Sequence, residues 1–315
     1  MPFLHWWTAI WIKTMLAVTA DMMLNKGLAL VGQKPGRIAR FDNKKKLSLF
    51  RAEFGKDPSV LVAVWEHMQT TAIAESKIVD ANDQTLEEFL WAFNFLKGYP
   101  TEAVLESRTN WCDKTIRKRI KEMLHRIAAL SAEKIVWPAS WDDPNVDTPV
   151  FLLSVDGTHC PIQEPTKNHK YSKNPKYYSH KFNRSGLAYE VGISIFTSQV
   201  VWVNGPFPAG MGDDDIFFGK GLKDRIPAGK KVIADGVYKR QDLPMVRTAY
   251  KADSPLVRLF KRRVRARHES FFGKMKVFNV LNDVFRHGES FHATCFMACV
   301  VICQFQIEEV PLFDP

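Results

Sequence analysis

Cysteine is scarce in this 315-residue chain: five in all, an odd number, and none in the CxxC pairs that usually mark a metal cluster. Cys295, Cys299 and Cys303 recur every four residues in an apolar segment, which lines them along one helix face as small buried hydrophobes and points to a reducing compartment. Acid is also in deficit, with 34 Asp and Glu against 44 Lys and Arg, a formal net charge of +10 and a pI of about 9.3. Such a balance favours a polyanionic partner, nucleic acid before a membrane surface. No internal repeat or low-complexity tract breaks the sequence. The amino-terminal PFLHWWTAIWIKTMLAVTA has no basic start, is interrupted by Lys13 and is short for a bilayer span, so an amphipathic helix is expected there and no membrane anchor, although Val18-Thr19-Ala20 has the look of a cleavage site.

The remaining composition, 46% hydrophobic and 25% charged, is that of a globular protein of about two domains. Residues 1–145 read as helical. In TLEEFLWAFNFLKG, residues 85–98, the positions Leu86, Phe89, Leu90, Phe93 and Leu96 share one helix face, with Thr85 and Glu88 as a capping box. After Tyr99-Pro100 come a short helix from Thr101, a break at 110–112, and a longer helix capped by Asp113 with Ile116, Ile120, Leu124 and Ile127 inward. Two helices with a tight turn at 101–130 suit a helix-turn-helix, and Lys114, Arg117, Lys118 and Lys121 are then the residues for a major groove. A solvated helix face reads equally well from pattern alone. The Pro- and Asp-rich WPASWDDPNVDTP, residues 137–149, marks the expected boundary, and 149–315 has the texture of an α/β domain: an antiparallel meander at 151–162, 187–197 and 199–206, a helix at 215–225, a strand in KKVIADGVY and a basic helix.

Three acids stand out in that second half. Asp156 is expected to end the strand FLLSVDGTHCPI, Asp235 to end VIAD, and Glu269 is the only acid among seven basic residues between Lys261 and Lys276. Each has an ordinary explanation: Asp-Gly is a turn dipeptide, and Glu269 could pair with Arg265 one helical turn earlier. Together they describe strand ends and a crossing helix that bring carboxylates to one point. Their repulsion is removed by hard divalent cations, magnesium or manganese, two of which suit phosphodiester chemistry.

The motifs VDGTHCPI, YYSHKFNRSGLAYEVGISI, VVWVNGPFPAG, VIADGVY, RARHESFFGKMK, FRHG and PLF follow one another in the order found in the Harbinger-type transposases, and the sequence closely resembles that family from about Phe50 to Pro311. FGKDPSVLVAVWEHM and FLWAFNFLKGYPTE extend the resemblance through the first half. The resemblance implies a ribonuclease H-like DDE nuclease domain (mixed sheet flanked by helices) behind an all-α helix-turn-helix region. It implies Asp156, Asp235 and Glu269 as catalytic and metal-binding residues, with Asp213 as a supporting acid. It further implies two Mg2+ or Mn2+ ions, transposon terminal repeats and target DNA as substrates, a Myb-like DNA-binding partner, a homodimer, and, in a eukaryote, a nuclear location. The sequence departs from the family's Asp-x-Gly-Tyr by reading Asp235-Gly236-Val237-Tyr238, which moves the glycine one position in the turn that aims Asp235.

Other residues invite weaker readings. His159 lies three residues after Asp156 and points to the opposite face of a continuing strand, and His268 beside Glu269 suits a DNA or packing contact. The stretch YSKNPKYYSHKFNR, residues 171–184, mixes aromatics with Lys181 and other cations as a single-strand binder would, or as a twisted hairpin would. Lys44-Lys45-Lys46 is a short hint of nuclear import. With Arg263, Arg265 and Arg267 as further DNA contacts, the expected activity is metal-dependent cleavage and strand transfer. The rival readings are a domesticated, non-catalytic DNA-binding protein and a plain hydrolytic nuclease.

Overall fold

The computed structural model describes residues 18–74, 83–165, 174–236, 246–247 and 253–314. The amino-terminal helix expected before Val18, part of the aromatic-basic stretch and Tyr238 lie outside them. The chain separates into two compact units, Met1–Ile127 and Ala128–Pro315.

The first unit is helical: α1 Ala20–Leu30, α2 Pro35–Ile38, α3 Asn43–Phe54, α4 Pro58–Ala74, α5 Asp83–Gly98, α6 Glu102–Thr109 and α7 Asp113–Ala129. Side-chain oxygens of Thr19, Asp42 and Thr101 accept the first free backbone N–H groups of α1, α3 and α6, and Gly55 closes α3 at φ 80°. The five apolar positions expected on α5 are all buried, around Trp65, Phe50 and Phe54. Gly27 lets α1 approach that core, for a Cβ there would meet Phe50 Cε2 at 2.5 Å. Two details differ from the sequence reading. Helix α5 begins at Asp83, so Thr85 lies inside it, and Glu88 pairs with Arg119 at 3.0 Å. The N-cap of α7 is Cys112, whose carbonyl accepts from Ile116 N, while Asp113 is the first helical residue. Asn110 at φ 57° makes the turn between α6 and α7, and Lys114, Arg117, Lys118 and Lys121 are exposed on the face of α7 opposite Ile116, Ile120, Met123, Leu124 and Ile127.

The second unit is a mixed α/β layer. Its elements are α8 Ser131–Lys134, β1 Phe151–Pro161, β2 Tyr178–Ser179, β3 Arg184–Ser194, β4 Val200–Pro208, α9 Asp213–Gly219, α10 Leu222–Arg225, β5 Lys231–Ile233, β6 Val246–Arg247, α11 Pro255–Met275 and α12 Glu289–Glu309. Strand β3 pairs antiparallel with β4 and β2 on one side and β1 on the other; β5 and β6 then continue beside β1 as parallel strands. Helices cover both faces, so β3 is buried from Ser185 to Ser194. On one face Leu153 and Val155 pack with Phe217, Leu222 and Trp141 of the Pro-rich segment. On the other, Val264 of α11 meets Ile195 and Ile233, and His268 Nε2 lies 2.8 Å from Ser154 Oγ. The expected helix at 215–225 is two short helices, because Gly221 adopts φ 110° between them. Cys295, Cys299 and Cys303 are buried free thiols on α12. That helix is long and apolar enough to cross a membrane, but it packs against β4, α8 and α11.

Arg267, expected to touch DNA, is 1% exposed. Its guanidinium donates to Ile195 O and Ser198 Oγ, so its charge is spent tying α11 to the end of β3. Arg267→Ala strands buried acceptors and is expected to lower stability by about 1–3 kcal/mol, seen as an earlier urea midpoint, while the folded variant keeps wild-type DNA affinity.

Candidate active site

The parallel register of β1 and β5 builds the site. Ser154 stands opposite Ile233, and two residues further along each chain come Asp156 and Asp235. Strand β5 stops at Ile233, whereas β1 runs on to Pro161. Asp156 therefore does not end its strand, as the sequence suggests; it lies mid-strand, paired with Val191 of β3, where the parallel neighbour has run out. The rim at the carboxyl ends of parallel strands is where α/β proteins place reactive groups. Each aspartate is held in the same way: Gly157 N donates to Asp156 Oδ1 at 2.9 Å, and Gly236 N donates to Asp235 Oδ1.

Asp213, the first residue of α9, joins them from above the opposite face of β1. Its carboxylate fills the space that Gly157 leaves, since a Cβ at 157 would lie 2.3 Å from Asp213 Oδ1. Gly157 is thus required by a close approach and not by a turn, because the strand continues through it. Across the ladder from Gly157 stands Glu190, 1% exposed, with Trp202 Nε1 donating to Oε1 at 2.8 Å and Oε2 without a partner. The sequence signal for Glu190 was a single acid in the otherwise apolar LAYEVGISI.

Burial shifts the titration of Asp156, Asp213 and Glu190. Loss of solvent pushes Asp156 up to about 6, against the Gly157 N–H; Asp213 and Asp235 add to the rise and Lys181 opposes it. Burial likewise raises Asp213, with Asp235 contributing, and raises Glu190 to about 7. His159 Nδ1 is 2.9 Å from Ser179 Oγ, and burial lowers its pKa although Asp213 faces it. Burial holds His268 neutral, at about 3, as the packing contact between α11 and β1.

Helix α11 brings Arg265 to the rim, where Nη2 pairs with Asp235 Oδ2 at 2.9 Å. The partner of Arg265 is therefore Asp235 rather than Glu269. Glu269 lies exposed one turn further along α11 and makes no hydrogen bond or ion pair among the described residues. Arg263 and Lys181 are exposed as expected of DNA contacts. Among the described residues no three His, Cys, Asp or Glu side chains stand close enough to hold a metal ion. The donor chemistry of the aspartates still suits one. Asp156, Asp213 and Asp235 offer oxygen only, and their mutual repulsion is what a hard divalent cation relieves.

Residues 155–304 match the family model of the DDE superfamily endonucleases. No curated protein and no solved structure matches the chain. The matched segment contains Asp156, Asp213, Asp235 and Glu269 and runs from β1 into α12. Enzymes of this superfamily generally use divalent metals on nucleic acid, which agrees with an all-oxygen acid cluster beside Lys181 and Arg265.

Two outcomes follow. Gly157→Ala is expected to cost about 1–3 kcal/mol by driving Asp213 from its seat. Combining it with Asp213→Ala recovers much of that loss, a non-additivity measured by urea denaturation of the four proteins. Because Asp156 and Glu190 have raised values, the folded state holds their protons to higher pH than the unfolded chain does. Their contribution to stability is full below the unfolded values and is lost as pH rises through about 6 to 7. The thermal midpoint of the metal-free protein is expected to fall between pH 5 and 8, with a shallower fall in Glu190→Gln.

Proposed function

We propose that the protein is a Harbinger-type DNA transposase that cleaves phosphodiester bonds at transposon ends and transfers the freed strand to target DNA. The observation that carries this reading is the β1–β5 register, which sets Asp156 and Asp235 side by side inside the DDE endonuclease segment. The strand order, three antiparallel strands followed by two parallel ones, supports a ribonuclease H-like fold for that segment.

In this reading Asp156, Asp235 and Glu269 hold two magnesium or manganese ions, which when bound activate the attacking oxygen and stabilise the leaving one. Gly157 and Gly236 fix the two aspartates by their N–H groups. Arg265 leaves Asp235 for a phosphate of the substrate, and Lys181, which faces Asp156 and Asp213, neutralises the strand being cut. Glu269 follows Arg265 on the same helix face, so it comes to the rim as that ion pair opens. Helices α6 and α7 act as the helix-turn-helix, with Lys114, Arg117, Lys118 and Lys121 on the terminal repeats, and Arg263 extends the contact along α11. A Myb-like partner, a homodimer and a nuclear location complete the proposal.

One observation favours the non-catalytic alternative: Asp235 is already paired with Arg265, and among the described residues no three-acid group stands ready. The test is cleavage of labelled DNA carrying the repeats that flank the gene, with Mg2+ or Mn2+. Wild type is expected to nick and join strands. Asp156→Ala, Asp235→Ala and Glu269→Ala are expected to lose about 10²–10³-fold or more in rate while still binding DNA. A wild type that binds yet cuts no better than these variants establishes the alternative instead.

A further inference from the structure

A cavity of about 180 Å3 opens at the far end of β1, and none of the chemistry above uses it. Its walls come from His159 near the end of β1, from Phe182, Arg184 and Ser185 where the chain turns into β3, and from Lys276 at the end of α11. Ser185 is 5% exposed, and its hydroxyl has no hydrogen-bond partner among the described residues. Buried polar groups are nearly always satisfied, so an orphaned hydroxyl in a cavity wall points to something that meets it there.

The surroundings say what kind of ligand that is. Phe182 is 40% exposed, and its ring lies edge-on to His159 at 5.6 Å. Lys181 Nζ and Lys276 Nζ stand 5.6 and 5.7 Å from the centre of the same ring. Two cations thus flank one exposed aromatic ring, and Arg184 adds a third to the cavity wall. That combination suits a planar ring that carries negative charge, as a base with its phosphate does. The volume of about 180 Å3 is below the roughly 300–1,000 Å3 of pockets that enclose a drug-sized ligand, so it takes one base, with the sugar and phosphate left at its mouth, and excludes a duplex. His159 follows Asp156 by three residues, which places the cavity about 10 Å along β1 from the candidate cleavage site.

We propose that this cavity holds the base of a single unpaired nucleotide of the substrate strand. That base stacks on Phe182, the attached phosphate lies at the mouth among Lys181, Arg184 and Lys276, and the hydroxyl of Ser185 meets the base edge. The inference rests on the nuclease reading for its substrate, but it can fail separately.

The full chain is titrated with fluorescent oligo(dT), with an abasic strand of the same length, and with a duplex of the same length. Wild type is expected to bind oligo(dT) roughly tenfold more tightly than the abasic strand. Phe182→Ala is expected to erase that difference, Phe182→Trp to restore it and Phe182→Leu not to, while duplex affinity stays within about twofold. Arg184→Gln and Lys276→Gln are each expected to reduce the salt slope on oligo(dT) by about 0.7. Circular dichroism confirms that each variant is folded. Equal binding of oligo(dT) and the abasic strand by wild type, or equal losses on single strand and duplex in Phe182→Ala, overturns the proposal. Metal-dependent nicking by the same preparations is scored separately. Nicking without base-dependent binding removes the subsite and leaves the nuclease; base-dependent binding without nicking removes the nuclease and leaves the subsite.

Discussion

The site depends on a difference in strand length. Strand β5 ends at Ile233 while its parallel neighbour β1 continues to Pro161, and past that point no strand among the described residues covers the β5 side of β1 until Phe285 bridges Ile162. Everything reactive gathers there: Asp156 on β1, Asp235 in the turn after β5, Arg265 on the crossing helix and Asp213 over the sheet. Asp156 and Asp213 are desolvated and all three aspartates repel one another, a cost the fold tolerates because the packing beneath is rigid. Leu153, Val155, Ile233 and Val264 are each no more than 1% exposed, and His268 and Arg267 bind α11 to β1 and to the end of β3 by hydrogen bonds.

Much of this was legible from local pattern. The helical period of Leu86, Phe89, Leu90, Phe93 and Leu96 gave a core face, and the four-residue spacing of the cysteines gave another. The strands at 151–162, 187–197 and 199–206 were recognisable as an antiparallel set, since alternation and turn residues are local signals. The three acids drew notice because each sits in a context its neighbours do not explain.

What the sequence hid was non-local. Asp156-Gly157 reads as a turn dipeptide, and only the seat of Asp213, 56 residues after Gly157, reveals why the glycine lies within a strand. Arg267 is indistinguishable by composition from Arg263 and Arg265, yet the helical period turns it inward to Ile195 and Ser198 while they face outward. The choice of Asp235 over Glu269 by Arg265 is likewise a tertiary matter, because an i, i+4 pair on a helix is worth only about 0.3–0.5 kcal/mol and yields readily to a partner from outside.

The Arg265–Asp235 pair gives the rim its own built-in counterion. A cation that takes up Asp235 sets the guanidinium loose, and a polyanion that takes up the guanidinium bares Asp235. By linkage each event strengthens the other by the same factor, whichever comes first. On the proposed function, the same pair would couple a divalent ion to nucleic acid, so that neither would be held at full strength alone.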